Sequence, residues 1–129
     1  MTDVFRTISS CIIALFCCLL PVFSITGEHP ILIISSYNPD AGRTSGNISD
    51  FMEEFQRLGG TNTIALENMN CKSFSESPLW ERRMVELLSK YQGDNSPALT
   101  VLIGQEAWAA YLSLPDSICG NTPVVSALS

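Results

Sequence analysis

The sequence predicts an α/β fold built on a Rossmann-like parallel sheet of four strands. Short apolar runs alternate with amphipathic stretches along residues 31–128 in the order β-α-β-α-β-α-β, an order that calls for parallel strands joined by right-handed crossovers. The runs at 31–36 and 98–103, ILIISS and ALTVLI, are almost wholly apolar, as in strands buried on both faces of a sheet. The run at 61–68 has one polar face, which favours a sheet edge and the strand order 2-1-3-4.

The first predicted helix follows the polar loop after strand one. Ser45 or Asn47 is expected to cap its start, and Gly59-Gly60 to end it. Its apolar residues recur at the helical spacing i, i+3, i+4, i+7 and i+10, which forms one buried stripe: Ile48, Phe51, Met52, Phe55 and Leu58.

Two further helices are predicted between the later strands. Ser77-Pro78 opens the second helix, with Ser77 as its cap and Gly93 at its end, and the third helix covers 105–112. From the handedness of the crossovers we expect the first two helices on one face of the sheet and the third on the opposite face. The buried stripe of the second helix consists of Trp80, Met84, Leu87 and Tyr91.

The last predicted strand, at 123–128, is mostly apolar and has no sequence after it that would cover its outer edge. An uncovered apolar edge invites association with another chain or segment. We therefore expect residues 28–129 to form one incomplete lobe of a larger protein.

Composition and motifs argue against several classes of function. The chain has 129 residues with 7 Lys+Arg against 13 Asp+Glu, a net charge of −6, whereas nucleic-acid binders concentrate basic charge. The single histidine, His29, precedes strand one, and no G-x-S-x-G elbow occurs. The loop after strand one contains Gly42 and Gly46 without a nucleotide-binding glycine pattern. We expect no enzyme activity, no cofactor and no nucleic-acid partner.

Residues 1–27 have the layout of a secretory signal peptide. Arg6 precedes the apolar run CIIALFCCLLPVF, after which Ser24, Thr26 and Gly27 supply small residues. Thirteen helical residues reach only about 20 Å, short of the roughly 30 Å hydrocarbon core of a bilayer. An uncleaved N-terminal membrane anchor is the alternative. Either interpretation predicts export, to the periplasm or to the periplasmic side of the inner membrane.

The two cysteines after residue 27 are expected to remain free thiols. Cys71 follows strand two at the carboxyl edge of the sheet, and Cys119 lies in a helix-to-strand loop at the amino edge. The length of a strand separates these edges, which exceeds the Cα separation of about 7 Å that a disulfide allows.

Polar side chains at the carboxyl ends of the strands form a candidate ligand site. Open α/β sheets bind ligands at this edge, where neighbouring loops diverge to opposite faces. No metal is expected, because this edge has no histidine and its one carboxylate, Glu106, has no obvious partner. The alternative is that these residues only form turns and helix starts. The proposed contacts to a small polar ligand are Ser36, Tyr37, Asn38, Asn70 and Gln105.

Four sequence strings carry a resemblance to a known family: ILIISSYNPD, ENMNCKSFSESPLW, LIGQEAWAAYLS and TPVVSALS. Together they resemble the N-terminal extracytoplasmic sensing region of Bacteroides-type hybrid two-component sensor histidine kinases. That region is similar to the periplasmic substrate-binding proteins of ABC transporters. The resemblance covers nearly all of residues 31–129.

The resemblance implies a ligand-sensing lobe that works in signal transduction. Its partners would be a second lobe and a cytoplasmic kinase portion, neither of which this sequence contains. There are no ATP-binding glycine boxes, and His29 precedes the sensor strands, so the chain itself is not expected to be a kinase. Two alternatives stay open: a fragment of a free-standing periplasmic solute-binding protein, and an enzyme of the same sheet class.

Overall fold

The computed structural model describes residues 29–127, where strands and helices alternate as the sequence predicts. The strands are β1 (Ile31–Ser35), β2 (Ile64–Asn68), β3 (Leu99–Ile103) and β4 (Val124–Ala127). The α-helices are α1 (Gly42–Arg57), α2 (Ser77–Ser89), α3 (Gln105–Leu112) and α4 (Asp116–Cys119), and short 3₁₀ turns occupy Phe74–Glu76 and Gly93–Asn95. The predicted signal peptide or anchor at 1–27 lies outside the described residues, as does the end of the predicted fourth strand.

The four strands form one parallel sheet in the order β2-β1-β3-β4, which confirms the predicted topology. In the central strand, Ile33 is paired with Leu66 on one side and Val101 on the other. Every residue of β1 is buried, whereas β2 at the edge is partly exposed. Burying one aliphatic side chain of this size is worth roughly 1.5–3 kcal/mol, so the apolar run at β1 holds the lobe together.

The predicted arrangement of helices around the sheet was wrong. Among the helices of residues 29–127, α1 is the one that packs on the first face, where Ile48 meets Ile33 and Val101. Helices α2 and α3 share the other face and pack against Leu32 and Leu102. The handedness rule itself explains this arrangement. The connection from β1 to β2 runs one way along the sheet, while the connections from β2 to β3 and from β3 to β4 both run the other way. Right-handed crossovers of opposite direction lie on opposite faces.

Two predicted helix starts also differ from the structure. Helix α1 begins at Gly42, so Ser45 and Asn47 lie inside it, and Ala41 takes the cap position without a side-chain hydrogen bond. In α2, Pro78 lies in the first turn as predicted, but Ser77 is already helical and Glu76 stands at the cap. The 3₁₀ turn at Phe74–Glu76 leads directly into this helix, which leaves no separate capping serine.

Helix α2 ends at Ser89, before the predicted end at Gly93. Tyr91 nevertheless stays packed against the core and donates a hydrogen bond of 2.7 Å to Glu67 on β2.

The thiols of Cys71 and Cys119 are both free, as predicted. Cys71 is buried beside β1, and Cys119 is half-buried at the end of α4. Between residues 29 and 127, no helix is both long enough and apolar enough to cross a membrane.

Candidate functional site

The strands β1 and β3 end side by side at the carboxyl edge of the sheet, and we call the space between the loops that follow them the crevice. The chain leaves β1 toward α1 on one face, and it leaves β3 toward α3 on the other. Divergent loops of this kind form the usual ligand crevice of open α/β sheets. The residues that follow β1 at this edge are Ser36, Tyr37 and Asn38, and those that follow β3 are Gly104, Gln105 and Glu106.

Ser36 lies beneath this crevice and holds its two sides together. Its side chain is fully buried, and its hydroxyl donates a hydrogen bond of 2.9 Å to the carbonyl of Ile103. The same oxygen accepts a hydrogen bond of 2.9 Å from the backbone N–H of Ala107 in α3. Ser36 was predicted as a ligand contact, but its buried hydroxyl is engaged within the protein, so it positions the crevice from below and does not reach solvent.

Gly104 allows the loop after β3 to approach Ser36 at the end of β1. Its φ of +97° lies in the region that favours glycine, and a Cβ built there would stand 2.8 Å from the Cβ of Ser36. The sequence signal for this position is a glycine directly between an apolar strand and a helix. Sequence reasoning identified the turn but not this steric requirement.

Tyr37 and Glu106 form the one side-chain pair that spans the crevice in the described residues. The Tyr37 hydroxyl donates a hydrogen bond to the Glu106 carboxylate, and the tyrosine is 43% exposed. This hydrogen bond, together with partial desolvation and the negative charge of Glu106, raises the pKa of Tyr37 to about 12. Glu106, expected to have no partner, is therefore paired with one of the predicted ligand contacts.

The two predicted asparagines are exposed, and each takes part in a local turn. The side-chain carbonyl of Asn38 accepts a hydrogen bond of 3.0 Å from the backbone N–H of Asp40. Asn70 adopts a positive φ of 53°, and its backbone N–H donates to the side chain of Asn68 at 2.7 Å. The turn at Asn38 uses only one of the two polar atoms of its amide. Gln105 is also exposed, as the first residue of α3.

Arg83 fixes the loop after β2, a role that the sequence did not reveal. Its guanidinium donates to the backbone carbonyls of Met69 at 3.3 Å and Asn70 at 3.2 Å, and it lies 3.4 Å from the Glu76 carboxylate. Next to this loop, burial and the charge of Glu106 raise the pKa of the Cys71 thiol to about 11. The thiol is therefore protonated at neutral pH.

The chemistry available at this edge is hydrogen bonding and aromatic stacking. Tyr37 offers a ring and a hydroxyl, Glu106 accepts hydrogen bonds, and the amides of Asn38 and Gln105 both donate and accept. Within residues 29–127, no three His, Cys, Asp or Glu side chains come together as a group that could hold a metal ion.

A groove of about 480 Å³ lies at the opposite, amino-terminal edge of the sheet, between residues 91–97 and 117–123. None of the residues that line it is charged. In contrast, the carboxyl edge has the exposed Tyr37–Glu106 pair and the first turn of α3. We therefore place the candidate site at the carboxyl edge.

Compared with known proteins, the chain matches no protein-family model, no curated protein and no solved structure.

Proposed function

We propose that residues 28–129 form a ligand-sensing lobe of an extracytoplasmic receptor that works in signal transduction. The receptor would be of the kind found in hybrid two-component sensor histidine kinases. A small polar ligand would bind at the carboxyl edge between β1 and β3. The observation that carries this proposal is the Tyr37–Glu106 hydrogen bond, which places an exposed ring and a carboxylate across the crevice.

The electrostatics of the crevice favour a ligand that donates hydrogen bonds. The first turn of α3 would by itself attract an anion, but Glu106 puts a carboxylate in that turn. The backbone N–H of Ala107 is already bonded to Ser36. A ligand rich in hydroxyl or amino groups therefore fits this edge better than a phosphate or carboxylate does.

A ligand at this edge would need a second wall to enclose it. The proposed contacts Tyr37, Asn38, Asn70 and Gln105 are all exposed on this lobe. In two-lobed receptors, hinge closure around a ligand supplies the second wall and converts binding into movement. The proposed partners are accordingly a second lobe and a cytoplasmic kinase portion of the same receptor, and residues 1–27 would direct export of the sensing lobe.

The experiment places Tyr37→Ala and Gln105→Ala in the complete reading frame that contains this chain. Ligand-dependent expression of a reporter controlled by the receptor is then measured at equal receptor abundance. The proposal predicts a weakened response in both variants and an unchanged response in Tyr91→Phe. Tyr91 is a suitable control because it also donates to a carboxylate, that of Glu67, but away from the crevice.

An unchanged response in both crevice variants, with folding intact, would contradict the proposed site. Ligand binding at the crevice without any signalling output would instead favour a transport-associated solute-binding protein.

A further inference from the structure

A second candidate binding site lies between α2 and α3, on the face of the sheet away from α1. A groove of about 310 Å³ opens there, within the usual size range of small-molecule pockets. Its walls are the rings of Phe74 and Trp80 and the small side chains of Ala109 and Ala110. No residue of this groove belongs to the crevice described above.

Phe74 is unusually exposed for a residue of its size. It lies on the 3₁₀ turn before α2 with 83% of its surface accessible. Its ring meets the Trp80 ring nearly at right angles, at 84° and with 5.9 Å between centroids. An apolar molecule in the groove would cover part of this exposed ring, which is favourable because apolar surface leaves water.

Trp80 supplies the second observation, an unsatisfied polar group. The residue is only 7% exposed, and its indole Nε1 is buried without a hydrogen-bond partner among the described residues. An indole nitrogen is a donor only, and leaving a buried donor unpaired carries a free-energy cost. A contact with the face of an aromatic ring compensates for only a small part of this cost.

The other polar groups of the groove define the charge of its occupant. The Ser113 hydroxyl already donates to the carbonyl of Ala110 at 2.7 Å. The Glu81 carboxylate at the groove is exposed and disfavours an anion there. Apart from the Ser77 hydroxyl, which can donate or accept a hydrogen bond, the remaining demand is for one uncharged acceptor close to an aromatic ring.

We propose that this groove binds a small, neutral, mainly apolar molecule whose single carbonyl-type oxygen accepts the hydrogen bond of the Trp80 indole. Because Nε1 is buried in the structure, the proposal requires side chains at the groove to shift as the molecule enters. The site is independent of the crevice between β1 and β3.

The test uses two probes of the same shape, cyclohexanone and methylenecyclohexane, of which only the ketone has an acceptor. Each is titrated into the ¹⁵N-labelled 129-residue chain while the indole N–H resonances are followed. The chain has two tryptophans, so Trp108→Phe assigns the signal of Trp80. We expect cyclohexanone to move the Trp80 signal downfield in a saturable way, whereas methylenecyclohexane should produce no downfield shift.

Ala109→Leu fills the groove from an exposed position of α3 and should weaken cyclohexanone binding by at least about tenfold. Ala98→Leu makes the same change at an exposed position outside the groove and should leave binding unchanged. The proposal is overturned if both probes shift the Trp80 signal alike or if neither shifts it. It is also overturned if the Ala109→Leu variant, with an NMR spectrum that shows it is folded, binds cyclohexanone as tightly as the wild type does.

Discussion

The Ser36 hydroxyl accepts a hydrogen bond of 2.9 Å from the backbone N–H of Ala107, which ties the end of β1 to the first turn of α3. The same hydroxyl donates to the carbonyl of Ile103 at the end of β3. One buried side chain therefore sets the spacing between the two loops that carry Tyr37 and Glu106. The geometry of the exposed crevice depends on a residue that does not itself reach solvent.

Ser36→Ala should reduce the free energy of unfolding by about 1–3 kcal/mol, because it leaves the buried N–H of Ala107 without an acceptor. Equilibrium unfolding in urea measures this loss. The control is Ser89→Ala, which removes an exposed hydroxyl bonded to the carbonyl of Glu86 and should change stability by less than about 0.5 kcal/mol. Equal effects of the two substitutions would contradict the role given to Ser36.

Gly104→Ala should destabilise the lobe by more than about 2 kcal/mol, because it combines an unfavourable positive φ with a collision against Ser36. Gly46→Ala is a matched control within α1, where a Cβ meets nothing within 4 Å. That control should stabilise the protein by about 0.5–1 kcal/mol. Thermal unfolding of both variants distinguishes them, and a tolerated alanine at 104 would show that the two loops are not in close contact.

All three tyrosines of the chain should titrate well above their usual pKa of about 10. The pKa values of Tyr37, Tyr91 and Tyr111 are each raised to about 12. Because the folded protein favours the neutral phenols, their contribution to stability is present below pH 10 and is lost as the pH rises toward about 12. Unfolding measured across this interval should show a steady loss of stability.

Glu106→Gln should lower the pKa of Tyr37 and leave the other two tyrosines unchanged, because the hydrogen bond to Glu106 is the largest cause of the shift at Tyr37. Glu67→Gln should lower the pKa of Tyr91 by less, since desolvation is the main cause there. NMR titration of ring-labelled tyrosine reports each residue separately. An unchanged pKa of Tyr37 in the Glu106→Gln variant would show that the Tyr37–Glu106 hydrogen bond is not formed in solution.

Residues 1–27 should direct export, because their apolar run has the length of a signal peptide and the chain before it carries Arg6. Residues 1–40 fused to a reporter that is active only in the periplasm should give activity. The matched control is a fusion of residues 28–40, which should give none. A reporter that remains inactive with both fusions would contradict the predicted localisation.

The sheet was predictable because burial determines both its strands and their order. The almost wholly apolar run at β1 is typical of a central strand that is buried on both faces. The polar face of β2 is typical of a strand at the sheet edge. The start of α1 was not predictable from the apolar stripe, because residues 42–47 are polar or glycine and the stripe begins at Ile48. Only the buried Thr44 shows that the first turn packs against the rest of the lobe.

The positions of the crevice residues followed from topology, but their pairing did not. Tyr37 and Glu106 are 69 residues apart in the chain, and their contact depends on the register of β1 against β3 and on the directions of two side chains. The contact of Arg83 with the loop after β2 was not predictable either, because Arg83 donates hydrogen bonds to the backbone carbonyls of Met69 and Asn70. Carbonyl groups leave no trace in the residue types of a sequence.

We propose that a small polar ligand binds at the crevice next to Tyr37. Saturation-transfer NMR on the 129-residue chain measures this binding, with pools of amino acids, sugars, nucleosides, polyamines and dicarboxylates as probes. We expect a hydroxyl- or amine-rich compound to receive saturation from the wild type and from Tyr91→Phe, but not from a folded Tyr37→Ala variant. Binding that is unchanged in Tyr37→Ala, or the absence of binding by any compound in the pools, would contradict the proposed ligand site.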